Sequence, residues 1–515
     1  MRTRQTQFCF VLLAVLALLI LFSTLVNAPH VIGAEKPAQP SGWPSYAHDE
    51  HHGAVSSVAA QPMNVVHWST PVDLHPPNGE IFRHYGSPLI TPANTTIVPV
   101  KVGHNSFRVE AHNGSDGSLL WQQFTDYRVP DAGFVPGFYP VLTHGVLVIP
   151  GGGGTVLVRS NPDQPHGQLV RIAFYGIQNY NADPQTYQDN VLINTPITAD
   201  SAGNLYFGFV VLGHTPLNLR SGLARVSATG AGSWVTAMSA SHDTSFKQVA
   251  TSCGPALSLD EKTLYVVTTD RQTGTGDLLA LDSKTLKTIA GVRLKDPASG
   301  LDSDLPSSSS ASPTVGPDGD VYFGVVENPY PEHNNRGWLL HFDSTLSQKK
   351  IPGSFGWDDT ASVVDASLVS SYQGTSKYLL MTKYNNYAGV GTGDGVNKIA
   401  VLDPNATESD PIIPRVLVMN EVLTIKGVTP DPEYPQFPNA VREWCINTAA
   451  VDPVTRSILA NSEDGVLYRW DLTTNQFSQR ITLSSGIGEA YTPTVIGTDG
   501  TAYGINDTVL FAIGK

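Results

Sequence analysis

Cysteine is scarce in this chain: three residues in 515, at positions 9, 253 and 445. That excludes a scaffold built from disulfides. Cys253 and Cys445 each stand just before the inner strand of a repeated unit, in units that are not neighbours, which argues against pairing because bridged Cα atoms lie within about 7 Å. Basic clusters are missing too. Lys and Arg total 31 against 45 Asp and Glu, a net charge of −14, and the cations are scattered. Such a chain is not expected to bind nucleic acid or an anionic membrane surface. Beyond the N-terminal region there is no sustained helical period and no second apolar run long enough to span a bilayer.

What is present begins with an export-type N-terminus. Arg2 and Arg4 precede an apolar stretch from Phe8 to Phe22, and Ile32-Gly33-Ala34 is a plausible cleavage site. Residues 1–34 read as a signal peptide, with an uncleaved membrane anchor as the alternative. The remaining chain is then extracytoplasmic: periplasmic, cell-surface or secreted. The absence of a Cys after the apolar stretch speaks against a bacterial lipid anchor.

Glycine (47) and proline (37) are abundant, and charged residues make up only 15%. With many Thr, Val and Tyr, this is an all-β composition rich in turns. The turns and strands recur. Ser87-Pro88-Leu89, Thr195-Pro196-Ile197, Gly254-Pro255-Ala256, Ser312-Pro313-Thr314 and Thr492-Pro493-Thr494 each open a short apolar run. In most copies an Asp-Gly-type turn and an aromatic strand follow, as in Asp318-Gly319-Asp320-Val321-Tyr322-Phe323. An outer half then reads strand, acidic turn, strand, as in Val466-Leu467-Tyr468-Arg469-Trp470-Asp471. One supersecondary module used many times buries its apolar faces only against copies of itself.

Eight inner halves can be counted, beginning near Ser87, Tyr139, Thr195, Gly254, Ser312, Ala361, Cys445 and Thr492. The eighth unit stops after its third strand, at Asp507–Ile513, whereas a spare strand lies before the first unit, at Met63–Val72. Pairing the two removes an exposed edge. The expected fold is therefore an all-β, eight-bladed β-propeller over residues 63–515, closed by an N-terminal strand. A clasp segment at 35–62 and the signal peptide or anchor at 1–34 precede it. Three stretches break the regular spacing, Gln178–Asn190, Glu327–Trp338 and Met419–Arg442, and loops of this kind often carry function. The run Gly151–Gly154 lacks a following Lys-Ser/Thr and reads as a turn rather than a phosphate loop.

Three features resemble the quinoprotein alcohol dehydrogenase-like propellers, the pyrroloquinoline-quinone (PQQ) repeat family. Ala111-His112-Asn113 through Gly117 to Trp121 is similar, loosely, to the family's docking repeat, with Asn113 in place of its Asp. The Ser/Thr-Pro phrase is the second. The third is Trp43-Pro44-Ser45-Tyr46-Ala47-His48-Asp49-Glu50-His51-His52-Gly53, which is similar to the opening of many secreted members. The resemblance covers about residues 43–515 and implies the propeller fold, with the N-terminal motif clasped against the ring. Its implications for function are mixed, because the family holds both dehydrogenases and assembly scaffolds. A dehydrogenase member is expected to have adjacent cysteines in a strained disulfide, a Trp beneath the quinone, a calcium or lanthanide ion on Glu and Asn, and an Asp base. This chain has no Cys-Cys pair.

Residues just before each inner strand should converge on one mouth of the ring. They include Arg83, His84, Tyr85, Phe138, Tyr139, Asn194, Trp357, Asp358, Asp359, Arg442, Glu443, Trp444, Asn447, Glu489 and Tyr491. Carboxylate and amide oxygens suit a hard cation, and adjacent Asp358 and Asp359 could raise one another's pKa as a general base requires. Hydrated polar mouths are also common without either role. His48, Asp49, His51 and His52 are metal-ligand types but fit no helix-based zinc spacing. The favoured reading is a secreted or surface-tethered, monomeric binding or scaffold module taking a protein, peptide or glycan at the mouth, with no cofactor. The alternative is a PQQ- and calcium-dependent dehydrogenase acting on an alcohol or sugar, with Asp358 and Asp359 as candidate catalytic groups and no metal ligand set assigned.

Overall fold

The computed structural model describes residues 42–76, 85–129, 138–270, 274–305, 311–485, 487, 488 and 491–515. The signal segment, the serine run at 307–310 and the mouth candidates Arg83, His84 and Glu489 lie outside the described residues.

Eight antiparallel sheets follow one another along the chain. Blades 1 to 7 span residues 89–128, 141–173, 191–236, 248–293, 314–342, 362–426 and 450–482, and blade 8 spans 495–514 plus Val65–Pro71. Strand burial falls from the axis outward, which explains the sequence pattern. Second strands are buried along most or all of their length, as in Thr95–Lys101 and Tyr378–Tyr384, because neighbouring blades cover both faces. The outermost strands alternate, as in Gln476–Thr482, because one face meets solvent. Blade 5 has three regular strands. Its fourth position is held by an irregular stretch bridging through Leu339–Gly353 and Phe342–Lys349.

Hydroxyls in and near the opening of the inner strands acquire a physical role here. Inner strands of adjacent blades share no ladder, so side-chain hydroxyls link them instead. Thr198 Oγ1 donates to Pro255 O at 2.6 Å, Thr314 Oγ1 to Ala361 O at 3.0 Å, and Ser362 Oγ to Ala449 O at 2.7 Å. The backbone amides of Gly254 and Ser312 donate to Ser312 Oγ and Thr360 Oγ1 at 2.8 and 2.9 Å. Proline in the phrase brings no N–H that would need a partner at the axis.

The ring closes as expected. Val65–Pro71 pairs antiparallel with Val509–Gly514, with a bulge at Val66/Trp68. Trp68 fastens this strand to blade 1 as well. Its ring stacks on His112 at 5.6 Å, and its Nε1 donates to Gly114 O at 2.9 Å. Gly117, at φ +74°, lets the turn pass beneath: a Cβ there would lie 2.5 Å from the indole.

Residues 43–61 run around the end of the ring where the inner strands turn outward. Backbone bonds join this segment to blade 1 (Trp43 with Ile90), blade 2 (Leu142 N to Pro44 O), blade 4 (Leu257 N to Glu50 O) and blade 5 (Val315 N to His51 O). They continue to blade 6 (Val363 N to Gly53 O), blade 7 (Val451 N to Ala54 O) and blade 8 (Gln61 N to Gly500 O). His51 Nδ1 and His52 Nδ1 lie 2.8 and 2.7 Å from the carbonyl oxygens of Leu257 and Pro313. Burial pushes the His52 pKa down to about 4, so the ring is neutral at physiological pH.

One sequence reading is refined and one corrected. The insertion at 178–190 holds two short helices, Ile177–Ala182 and Pro184–Asn190, too brief to show a period. Of the Met419–Arg442 insertion, the first part belongs to the outer strand Leu417–Lys426, and only the residues after it form a loop. Cys253 and Cys445 are both buried and are not bridged to each other.

Because Trp68 serves two blades, Trp68→Ala is expected to destabilise the ring by about 3–5 kcal/mol, the range for a buried Trp truncation. Urea unfolding of the two proteins measures it, and a loss below about 1 kcal/mol would show that closure does not depend on this ring.

Candidate functional site

The lead into blade 6 carries Trp357, Asp358 and Asp359. Gly356 and Trp357 donate their amides to Arg336 O at 3.1 and 3.2 Å, which turns the chain sharply. Asp358 adopts φ +57°, a left-handed conformation that Asp tolerates better than most residues. Half-buried Trp357 meets Tyr387 edge to face at 6.0 Å. Asp359 is buried, and one of its oxygens accepts the Lys383 amide at 3.2 Å. Lys383 is itself buried, with its Nζ 5.3 Å from the Tyr491 ring and 5.7 Å from Phe355. Burial pushes the Asp359 carboxyl up to about 8, with Asp358 adding to the rise and the Lys383 charge opposing it.

The lead into blade 7 carries the second group. Arg442 Nη1 lies 3.2 Å from both Asp431 and Glu433 and 3.9 Å from Glu463. Glu463 also accepts the Glu443 amide at 2.8 Å and faces Cys445 Sγ at 3.5 Å. Donor atoms of Glu443, Cys445 and Glu463 lie within 4.8 Å of one another, the one such trio among the described residues. Its mixed oxygen and sulfur donors are zinc chemistry rather than calcium chemistry. The two leads meet at Tyr387: burial raises its hydroxyl pKa well above the usual value, and the charges of Glu443, Cys445 and Asp358 add to the rise.

The floor is made by the N-terminal segment. The Tyr46 hydroxyl donates to Asn447 Oδ1 and lies 2.8 Å from Thr360 Oγ1, and its ring meets Tyr139 and His52 edge to face. Burial pushes this hydroxyl up to about 12. A wall rises beside the mouth where three loops interlock. Asn334 Nδ2 donates to Asn386 Oδ1 at 2.8 Å, and Asn397 Nδ2 to Val441 O at 2.7 Å. The Thr392 and Val441 amides add bonds to Asn334 Oδ1 and Gly395 O at 2.8 and 3.0 Å.

The predicted residues thus separate. Trp357, Asp358, Asp359, Glu443 and Tyr491 come together around Lys383 and Tyr387. Tyr85 does not join them: its hydroxyl donates to Asp73 Oδ2 at 3.1 Å, beside the buried Lys101–Asp73 pair. Asn194 ties blade 3 to blade 4, donating to Val249 O at 2.9 Å. Trp444 is core, between Tyr468 at 5.3 Å and Phe477 at 5.7 Å. Asn447 is engaged by Tyr46. Arg442 is neutralised by loop carboxylates. The residues His48, Asp49, His51 and His52 form no metal-type group. No cysteine pair exists, the Trp444 ring is packed between other aromatics, and the Asn447 oxygen is already bonded.

Lys383, Tyr387 and Glu463 were missed in the sequence. Lys383 lies in a strand that otherwise reads as core, and a single Lys in that apolar run was the available signal. The loop at 385–397 was also missed, although Gly389, Gly391, Gly393 and Gly395 alternate there; three of them have positive φ.

One buried constellation mimics a hydrolytic triad without its order. His333 Nε2 lies 3.0 Å from Asp410 Oδ2, and Ser354 Oγ donates to the same oxygen at 2.5 Å, while Ser354 and His333 are 3.5 Å apart. The carboxylate stands between the other two, so the serine is not activated by the histidine. All three are buried, and they pin the blade 5 loop to blade 6.

Asp359 predicts a pH dependence. The folded state keeps this proton to about pH 8, whereas an ordinary Asp releases it near 3.8. Wild-type stability should therefore decline through this group as pH rises across that window. Asp359→Asn should remove that decline, so the variant gains on wild type between pH 5 and 9. Thermal melts across the range test it, and parallel profiles would contradict the assignment. Asp410→Asn should cost about 3 kcal/mol by breaking a buried charged network. Urea unfolding checks that value.

No protein-family model matches the chain, and no curated protein matches it. Solved structures do. A europium-containing methanol dehydrogenase superposes with a TM-score of 0.53 at 10% identity, covering 91% of each chain. A quinohemoprotein alcohol dehydrogenase from Comamonas testosteroni gives 0.57 at 10% identity over 93% of this chain and 81% of that one. Sqt1 of Saccharomyces cerevisiae gives 0.51 at 11% identity, over 88% and 99%. At these identities the likeness is one of fold: the chain has the propeller architecture that the quinoprotein alcohol dehydrogenases share.

Proposed function

We propose that this chain is an extracytoplasmic binding or scaffold module that receives a protein, peptide or glycan at the cupped mouth of its propeller. The observation that carries this reading is the use of the mouth residues. Trp444 and Asn447, two of the candidates for a quinone and its ion, serve the core and the floor, while Trp357 and Asp358 remain partly accessible beside the loop wall. An aromatic edge beside carboxylates, set in a preformed cup, suits recognition of a polar ligand. The export-type N-terminus supports the location. The dehydrogenase reading is supported by fold alone, and one fold hosts many functions.

Two measurements test the reading. Purified protein mixed with PQQ and calcium should show neither stoichiometric uptake by absorbance nor dye-linked dehydrogenase turnover; uptake with turnover would overturn it. On peptide and glycan arrays, Trp357→Ala should weaken retained ligands by about tenfold or more, as loss of an aromatic anchor does. Unchanged retention would remove the mouth as the binding surface.

A further inference from the structure

We propose a second site, separate from the group around Trp357 and on the rim of blade 3: a pocket for an oxyanion of the phosphate or sulfate class carried on an apolar body. The pocket has a volume of about 510 Å³ and lies between the loop at 212–221 and the short helix Ala237–Ser241. Leu212, Leu219 and Met238 supply its apolar lining, and His214, Arg220 and Lys247 its basic lining. No Asp or Glu lines it.

In a chain with 45 acidic and 31 basic residues, this gathering of cations runs against the overall charge. Elsewhere cations are commonly paired, as Arg293 is with Asp243, Asp277 and Asp302. Among the described residues, neither Arg220 nor His214 makes a side-chain hydrogen bond or ion pair. Lys247 Nζ donates to Thr244 O and lies 4.0 Å from Met238 Sδ. Asp243 shares its charge with Lys247, but its hydrogen bond and its ion pair go to Ser245 and Arg293. The Arg220 guanidinium and the Lys247 ammonium line one concavity, and an oxyanion bonded to both offsets their mutual repulsion.

The loop is also built rather than loose. Buried Thr215 accepts the Leu219 amide on its hydroxyl at 2.9 Å and the Asn218 amide on its carbonyl at 2.8 Å. Gly213 packs so tightly that a Cβ would lie 2.0 Å from Asn190 Oδ1. Leu212 donates its amide to Asn190 O at 2.8 Å, and Val211 donates to Ser221 Oγ at 2.9 Å. The cations therefore stand on a fixed frame, which lowers the ordering cost of binding. Exposed Leu212 beside them gives an apolar tail a surface to cover.

The test uses the full chain at low ionic strength and calorimetric titration with three probes: octyl phosphate, inorganic phosphate and octyl glucoside. Octyl phosphate should bind at or below about 1 mM, inorganic phosphate about tenfold more weakly, and octyl glucoside not measurably. The double variant Arg220→Glu, Lys247→Glu should weaken octyl phosphate by tenfold or more with an unchanged melting temperature. Lys262→Glu, a reversal on an exposed blade 4 turn, should bind like wild type. No binding of octyl phosphate by wild type at 5 mM, or equal binding by the double variant, would overturn the proposal. Sedimentation with phosphatidylglycerol vesicles, against phosphatidylcholine vesicles, assigns the source. Retention on the former alone makes the ligand a lipid headgroup, and retention on neither makes it a soluble ester.

Discussion

Everything in this molecule depends on one antiparallel pairing, Val65–Pro71 with Val509–Gly514. Seven blades are made from chain that is continuous in sequence; the eighth needs a strand from the other end. Without it the last blade would present an open, apolar edge, and the mouth would lose its fixed circumference. Trp68 gives the pairing its strength by packing across the joint onto the Gly117 turn of blade 1. The N-terminal segment adds a second closure, bonding to the inner strands of blades on both sides of that joint.

These closures set the geometry of the mouth. Tyr46 reaches the axis because residues 43–61 are bound around the ring, and its hydroxyl occupies Asn447 and Thr360. Above the floor, burial decides the chemistry. Asp359 and Lys383 are both withdrawn from water, and the carboxyl responds by holding its proton to about pH 8. Arg442 and Glu463, closer to solvent and near several charges, form a network instead. The same residue types thus play unlike parts within one small region, according to what solvates them.

The architecture was largely legible because repetition multiplies weak local signals. A single Ser-Pro followed by an Asp-Gly turn says little, but eight inner halves in series, five of them opening on the proline phrase, with a spare strand leave few alternatives. The mouth was legible in part. Position before an inner strand placed Trp357, Asp358, Asp359, Glu443 and Tyr491 together, yet the same rule also named Tyr85, Asn194 and Trp444. Those three point between blades or into them, and which way a side chain points depends on a neighbouring blade far away in sequence. Lys383 was hidden by the opposite problem, a functional type inside a strand that reads as core.

By itself, then, the sequence determined the repeat, the blade count and the closing strand, because each follows from local periodicity or from a count. Tertiary structure alone decided that Asn447 belongs to the floor and that loops from blades 5, 6 and 7 make one wall. It also brought Arg220 and Lys247 to one pocket, although the cations are scattered along the chain. The reason is physical. Strand formation and turn chemistry act over a few residues, whereas desolvation, charge pairing and side-chain direction depend on whatever the closed ring brings alongside.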